Sequence, residues 1–154
     1  HLTPRDIFDI AEGTRPGDRE AARESFRRFG EVAGDVISQA LTIIDGIVVL
    51  GGGLTGAAKY FMPSLLAEMR GEIGTFAGDR FPRLQMQTYD LDSPEEAAEF
   101  VREKSVPVAV PHSEERVRYH HIRQTPVVRS KLGASRAIAL GAYAFAIAEL
   151  DRRQ

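Results

Sequence analysis

No cysteine occurs in this sequence. Its absence removes disulfides, thiolate zinc sites and cysteine nucleophiles from consideration, and it agrees with a reducing compartment, so the cytoplasm is the expected location. Long apolar runs are missing as well. Every hydrophobic stretch is interrupted by glycine or charge well short of the roughly 20 residues that cross a bilayer, and no signal-peptide pattern opens the chain. Nor does either charge dominate: 20 Lys and Arg stand against 22 Asp and Glu, a net charge of −2 with a pI near 6.1. That balance gives no pull toward nucleic acid or an anionic membrane. What is present is 154 residues, 43% of them hydrophobic, enough for the core of one ordinary domain. The first residue is His1, not Met, and a helix start follows at once, so the chain reads as a piece of a longer protein.

Thr3, Pro4 and Asp6 open a short helix that should end near Ala11: a hydroxyl cap, a proline where no amide partner is lost, and an acid in the first turn. Gly13 to Gly17 break the chain, and Asp18 can cap the next helix. There Ala22, Phe26, Phe29, Ala33, Ile37, Ala40 and Ile44 recur every three or four positions, which predicts the core stripe of a long amphipathic helix. Gly30 and Gly34 lie inside it. Each costs about 1 kcal/mol relative to alanine, so they predict the close approach of another backbone.

Ile47 to Leu50 is a β-branched run without polar alternation, which predicts a strand covered on both faces. Leu54 to Ile73 reads as helix, broken or restarted at Pro63, and Gly74 to Pro82 as loop. Leu84 to Tyr89 alternates as a strand does, and Ser93, Pro94 and Glu96 form a capping box for a helix ending near Lys104. Residues 105–126 carry Pro107, Pro111, Pro126 and every histidine except His1, with no clear period, which predicts an irregular insertion or a β-ribbon. Val127 and Val128 suit one last strand. Ser130 reads as an N-cap, and Ala134 to Leu150 as a helix apolar nearly all round, hence buried against a sheet or a sister helix. Asp151 to Gln154 should fray.

The segment from Ile47 to Ala58, IVVLGGGLTGAA, is a strand, a tight turn and a helix start. Glycine admits positive φ and lets backbone approach a ligand, while a helix start offers free amides. Gly51, Gly53 and Gly56 match the G-x-G-x-x-G spacing of dinucleotide folds, which keeps a flavin or nicotinamide oxidoreductase among the readings. Against it, a long helix precedes the strand. The acid that should close the second strand roughly 20 residues on is out of place too, because Asp79 falls in a loop and Asp90 comes late. A turn needed only to pack helix on strand is a further alternative.

The order of elements accounts for more of the chain. GDREAARESFRRFGEVAGDVISQALTIID, ending at Asp45, is similar to the GD…A…G…ANLINLLDP helix of ROK family proteins, with Gly46 in place of the usual proline. Lys131 to Ala142, KLGASRAIALGA, is similar to that family's closing LG…A…GAA signature. Together with the glycine turn between them, these segments resemble the C-terminal lobe of the family, which contains ATP-dependent sugar kinases and sugar-responsive repressors. Residues 91–124 match nothing in it.

The resemblance implies an α/β fold, the C-terminal part of an actin-like ATPase (ribonuclease H-like) lobe. Helices would pack on a small mixed sheet across residues 1–154, with an irregular insertion at about 105–126. It implies that Gly51, Gly52 and Gly53 lie against the adenosine or ribose of ATP, with Leu54 and Thr55 opening the helix beside it. ATP with Mg²⁺ would be bound by the intact protein. The implied partners are the N-terminal remainder of the same protein, a sugar substrate or effector, and further copies in a homo-oligomer. A sugar-sensing transcriptional regulator is the alternative within the family. Its DNA-binding helix-turn-helix would lie upstream, so no nucleic acid is expected on these residues.

No catalytic residue is expected in this chain. The family's aspartate base and its D-x-G-x-T phosphate loop have no matching motif here, and its zinc motif of one histidine and several cysteines is absent. His112, His120 and His121 invite a metal reading, but adjacent histidines on a strand point to opposite faces and chelate poorly, so an exposed loop is favoured. Glu95, Glu96 and Glu99, and likewise Glu114 and Glu115, read as solvated faces or caps. Lys131, near the start of the last helix, could approach a phosphate.

Overall fold

Thr3 caps the first helix, α1 (Pro4–Glu12), through a closed capping box. Its side chain accepts from the Asp6 amide at 3.2 Å while Asp6 accepts from the Thr3 amide at 2.8 Å. Asp18 caps α2 (Arg19–Leu41) in the same spirit, accepting from the amides of Glu20 and Ala21, both at 3.0 Å. The computed structural model describes residues 1–152, so Arg153 and Gln154 of the expected frayed end lie outside the described residues.

The buried stripe of α2 is Ala22, Phe26, Gly30, Gly34, Ser38 and Leu41, rotated from the expected one. The glycines cause the rotation. They sit where the backbone of α3 (Ala58–Met69) crosses, against Phe61 and Leu65, so the line of closest contact runs through them. Phe29 moves to its margin, 41% exposed but edge-on to Phe61 at 5.3 Å. Ser38 is fully buried and donates to the Gly34 carbonyl at 2.7 Å, which satisfies it. The helix stops at Leu41, which leaves Ile44 outside the core.

Pro63 does not break α3, contrary to the sequence expectation. A proline inside a helix costs about 3 kcal/mol. Phe61, Met62, Leu65, Leu66 and Met69 are all buried around it, each contributing about 1.5–3 kcal/mol, so packing outweighs the break. A short 3-10 helix, Gly53–Ala57, precedes α3.

Three strands form one parallel sheet: β1 (Val48–Leu50) and β4 (Met86–Asp90) flank β7 (Arg123–Arg129). The antiparallel pairs are separate hairpins. β2 (Glu72–Gly74) pairs with β3 (Arg80–Pro82) where a plain loop was expected, and β5 (Val106–Ala109) pairs with β6 (Arg116–Tyr119), with every residue of β5 and β6 exposed. The α/β class is therefore as expected, but the sheet under the helices is wholly parallel rather than mixed, because the antiparallel pairs do not join it. Val48, Leu50, Met86 and Val127 join the core under α2 and α3. Tyr89, on the opposite face, meets Phe100 of α4 (Pro94–Val101) at 5.6 Å between ring centroids. Helices thus cover both faces near β4, but β1 is an edge strand covered on one face only. Val49 is 60% exposed, which corrects the expectation of a strand buried on both sides.

The capping box of α4 is half formed. Ser93 accepts from the Glu96 amide, while Glu96 turns away to the Asp90 amide at 2.7 Å and to Arg70. The last strand is longer than Val127 and Val128 because Arg123 to Pro126 also pair with β4. Ser130 extends the ladder, donating to the Leu50 carbonyl at 2.8 Å, and so does not cap α5 (Ala134–Asp151), whose N-cap position is Gly133. No residue of α5 is buried, against the expectation that it would be. No helix among the described residues is long and apolar enough to cross a membrane.

Candidate functional site

The parallel sheet brings three strand ends to one edge. β1 ends at Leu50, β7 at Arg129 and β4 at Asp90, and in open α/β sheets ligands sit outside the carboxyl ends of strands. The glycine turn lies on this edge with Ser130 beside it: a side-chain carbon on Gly51 would be 3.9 Å from the Ser130 Cβ. Carbons added to Gly52, Gly53 or Gly56 would meet nothing within 4 Å. Packing of this chain therefore does not explain why these positions are glycine. Gly52 has φ +95°, which favours glycine on backbone grounds alone.

The turn opens a 3-10 helix, not an α-helix. Thr55 donates through both its amide and its hydroxyl to the Gly52 carbonyl, at 3.3 and 2.8 Å, so Thr55 closes the turn on itself. The α-helical dipole begins only at Ala58. The expectation of an α-helical dipole end immediately after the glycines is corrected accordingly, and open space beside the backbone is what the turn offers.

That space is continuous with a cavity of about 330 Å³ between the turn and α1, lined by Pro4, Arg5 and Phe8 on one side and Gly53, Leu54 and Gly56 on the other. The Arg5 guanidinium lies 5.6 Å from the Phe8 ring centroid and pairs with Asp9 at 3.1 Å. Phe8 in turn packs edge-on to Tyr60 at 6.3 Å. The result is a largely apolar slot with the Arg5 cation at its lining.

α1 is fixed over the turn by Glu12. It accepts from the Tyr60 hydroxyl at 2.7 Å and pairs with the Lys59 ammonium at 2.6 Å. Those bonds, Lys59 first, hold the Glu12 carboxyl below the usual carboxylate range and raise the Lys59 ammonium. A second cavity, about 270 Å³, lies at the ends of β4 and β7, lined by Lys59, Met62, Pro63, Asp90, Asp92 and Arg129. Asp92 pairs with Arg129 at 2.5 Å.

Sequence reasoning marked Gly51, Gly52, Gly53, Leu54 and Thr55, which the fold keeps together on the sheet edge. It missed Pro4, Arg5, Phe8 and Lys59, and Asp90 and Asp92 as neighbours of the site. Only the position of Asp90 at a predicted strand end carried a signal for any of these. The remaining candidates stay apart. His120 and His121 lie between β6 and β7 rather than on a strand, with their rings stacked 6.1 Å apart instead of pointing to opposite faces, and His120 contacts the Ile122 carbonyl. Among the described residues no three His, Cys, Asp or Glu side chains are grouped to hold a metal. Glu99 pairs with Arg102 and Lys104 on α4 and its exit, and Lys131 is exposed.

The dinucleotide motif lacks its structural setting. The strand after α3 is β2, which ends in Gly74 and pairs antiparallel with β3, and the neighbour of β1 in the sheet is β7. Among the described residues no second parallel strand ending in an acid adjoins β1, as a dinucleotide fold requires.

No family model matches the chain, and no curated protein does either. A solved structure does. The crystal structure of a glucokinase from Parabacteroides distasonis ATCC 8503 superimposes with a TM-score of 0.78 at 46% sequence identity, over 96% of this chain and 39% of that one. The chain is thus related to a portion of a glucokinase, and it spans about two-fifths of that protein's length.

Proposed function

We propose that this chain is the ATP-binding lobe of a ROK-type sugar kinase, the C-terminal part of an actin-like ATPase fold. The observation that carries the reading is the pairing of 46% identity to a glucokinase with a glycine turn at the carboxyl edge of a parallel sheet whose open side none of the described residues fills. In this reading Gly51, Gly52 and Gly53 lie against the adenosine of ATP, because a side chain there would stand where a flat base and its ribose must come. Leu54 and the cavity under α1 supply apolar surface beside it. Thr55 holds the turn by its two bonds to Gly52. Mg²⁺ accompanies the nucleotide, with no ligand for it assigned to this chain.

The phosphate loop and the aspartate base belong to the rest of the protein, which also completes the sugar site. The test uses the intact protein: ATP binding by calorimetry, and ATP-dependent phosphorylation of glucose and other hexoses or amino sugars. Nucleotide binding with sugar phosphorylation is expected, and the 154-residue chain by itself should phosphorylate nothing. An intact protein that binds sugar but neither binds nor consumes ATP would replace the kinase reading with that of a sugar-responsive regulator.

A further inference from the structure

The hydrogen bonds of the β2–β3 hairpin show which of its backbone groups point outward. The Thr75 amide donates to the Asp79 carbonyl at 2.8 Å, and the Arg83 amide to the Gly71 carbonyl at 2.9 Å. An antiparallel ladder bonds every second pair, so Ile73 and Phe81 form the bonded pair between these two. Glu72 and Gly74 therefore turn their amides and carbonyls away from β3, toward an exposed edge that no other strand among the described residues occupies.

Other strand edges away from the glycine turn are blocked. Pro82 on β3 and Pro107 on β5 face outward by the same alternation and have no amide to give. Pairing β6 with its own copy about Val117 would set Arg116 opposite Arg118, like charge against like. Along β4, Arg70 donates to the Thr88 carbonyl at 3.1 Å and Glu96 accepts from the Asp90 amide at 2.7 Å, so side chains already cover that edge. The edge of β2 has neither a proline nor a like-charge clash, and what fits it is a second β2. Turned about a two-fold axis at Ile73, the two strands run antiparallel with Glu72 of each opposite Gly74 of the other, exchanging N–H···O bonds in both directions.

We propose that the protein is a homodimer joined edge to edge through β2, so that two hairpins make one four-stranded antiparallel sheet. Three features of the register support it. On one face Phe81 and Ile73, 47% and 42% exposed in the single chain, line up with their counterparts in one apolar row. On the other face Arg80 shares a row with Glu72 of the partner subunit, two strands or about 9.5 Å away. Only Gly74 stands between them, so the guanidinium has room to reach the carboxylate. The same register brings Phe76, fully exposed at the hairpin turn, level with Arg70 of the partner subunit. There it meets the mouth of a cavity of about 470 Å³ lined by Met69, Arg70, Gly71, Pro82 and Leu84. Each copy thus offers both a knob and a pocket on one surface, as an isologous interface requires.

The test is analytical ultracentrifugation of the intact protein, which should sediment as a dimer at micromolar concentration. Ile73→Lys and Ile73→Glu, each setting like charges side by side at the axis, should each raise the dimer dissociation constant about tenfold or more. An equal mixture of the two variants should associate more tightly than either alone. Phe76→Ala should weaken the dimer as well. A monomer throughout would overturn the proposal, as would a dimer that both charged variants leave intact, or a mixture no tighter than its components. If a variant fails to fold, amide exchange in the unmodified protein decides: protection of Glu72 and Gly74 should grow with protein concentration, and protection independent of concentration would overturn the pairing. None of these readouts involves ATP or sugar, so they stand or fall apart from the kinase reading.

Discussion

A methyl group on Gly34 would stand 2.6 Å from the carbonyl oxygen of Leu65 and 2.8 Å from the Glu68 Cβ. Gly30 is placed in the same way against the Phe61 carbonyl, and the Ser64 hydroxyl of α3 donates across the seam to the Arg27 carbonyl at 2.9 Å. The two helices therefore meet backbone to backbone. In an exposed helix, Gly→Ala gains about 1 kcal/mol; here rigid main-chain atoms would have to move. Gly34→Ala is expected to lose about 1–3 kcal/mol of stability, read from denaturant midpoints. A neutral or stabilised variant would show that α2 and α3 sit further apart than this.

Gly52 and Gly53 separate backbone strain from ligand contact. Gly52 has a left-handed φ, so any side chain there is strained whatever it touches, whereas Gly53 does not, and a side chain on it would meet open space. Gly53→Val should therefore leave folding nearly unchanged, within about 0.5–1 kcal/mol, yet weaken ATP binding by the intact protein about tenfold or more, equivalent to roughly 1.4 kcal/mol. Gly52→Val should weaken ATP binding as well, with added loss of stability, and leave sugar binding largely alone. Calorimetric titration with ATP and with sugar decides. Unchanged nucleotide affinity in both variants would remove adenosine from the turn.

How far these features were legible in the sequence depended on whether their causes were local. The capping box of Thr3 and Asp6 and the cap at Asp18 are made by neighbours in the chain, and both form as read. Gly30 and Gly34 announced a close approach because their helical cost needed a reason. The stripe of α2 was misplaced for the same cause, since the approaching backbone draws the contact line onto the glycines and pushes Phe29 and Ala33 to its margins. Pro63 was misread because its local cost is overridden by side chains buried around it. The α1 wall of the site was invisible: nothing in the order of residues says that Phe8 will come to lie beside Leu54. Helix α5 was read correctly as a helix but not as a buried one, since none of its residues is buried here.

Glu12 gives the attachment of α1 a pH dependence. The Lys59 ammonium, and after it the Tyr60 hydroxyl, hold its carboxyl below the ordinary 4.5. A carboxyl whose folded value is depressed contributes fully above its unfolded value, and the contribution is lost as pH falls through the folded one. Docking of α1 is therefore expected to be intact at neutral pH and to weaken only below about 4.5. An NMR titration should place the Glu12 midpoint below 4.5, and Lys59→Gln should move it back upward. A midpoint at or above the ordinary value in the unmodified protein would mean that the Glu12–Lys59 contact does not persist in solution.

The cavity under α1 makes the sharpest claim on kinetics. Phe8 lines the cavity together with Leu54, and its ring contacts Tyr60 edge-on and the Arg5 guanidinium. Aromatic and cation contacts of this kind suit a heteroaromatic base. If the adenine ring enters this slot, Phe8→Ala in the intact protein should raise the KM for ATP about tenfold, roughly 1.4 kcal/mol. The KM for sugar should stay within about twofold, because uniform binding is lost at one substrate only. Phe8→Tyr, which keeps the ring, should recover most of the loss. Equal changes in both KM values would point to general loosening of α1. No change in either would place the base elsewhere along the sheet edge, with the second cavity beside Asp90 and Arg129 the next position to probe by the same comparison.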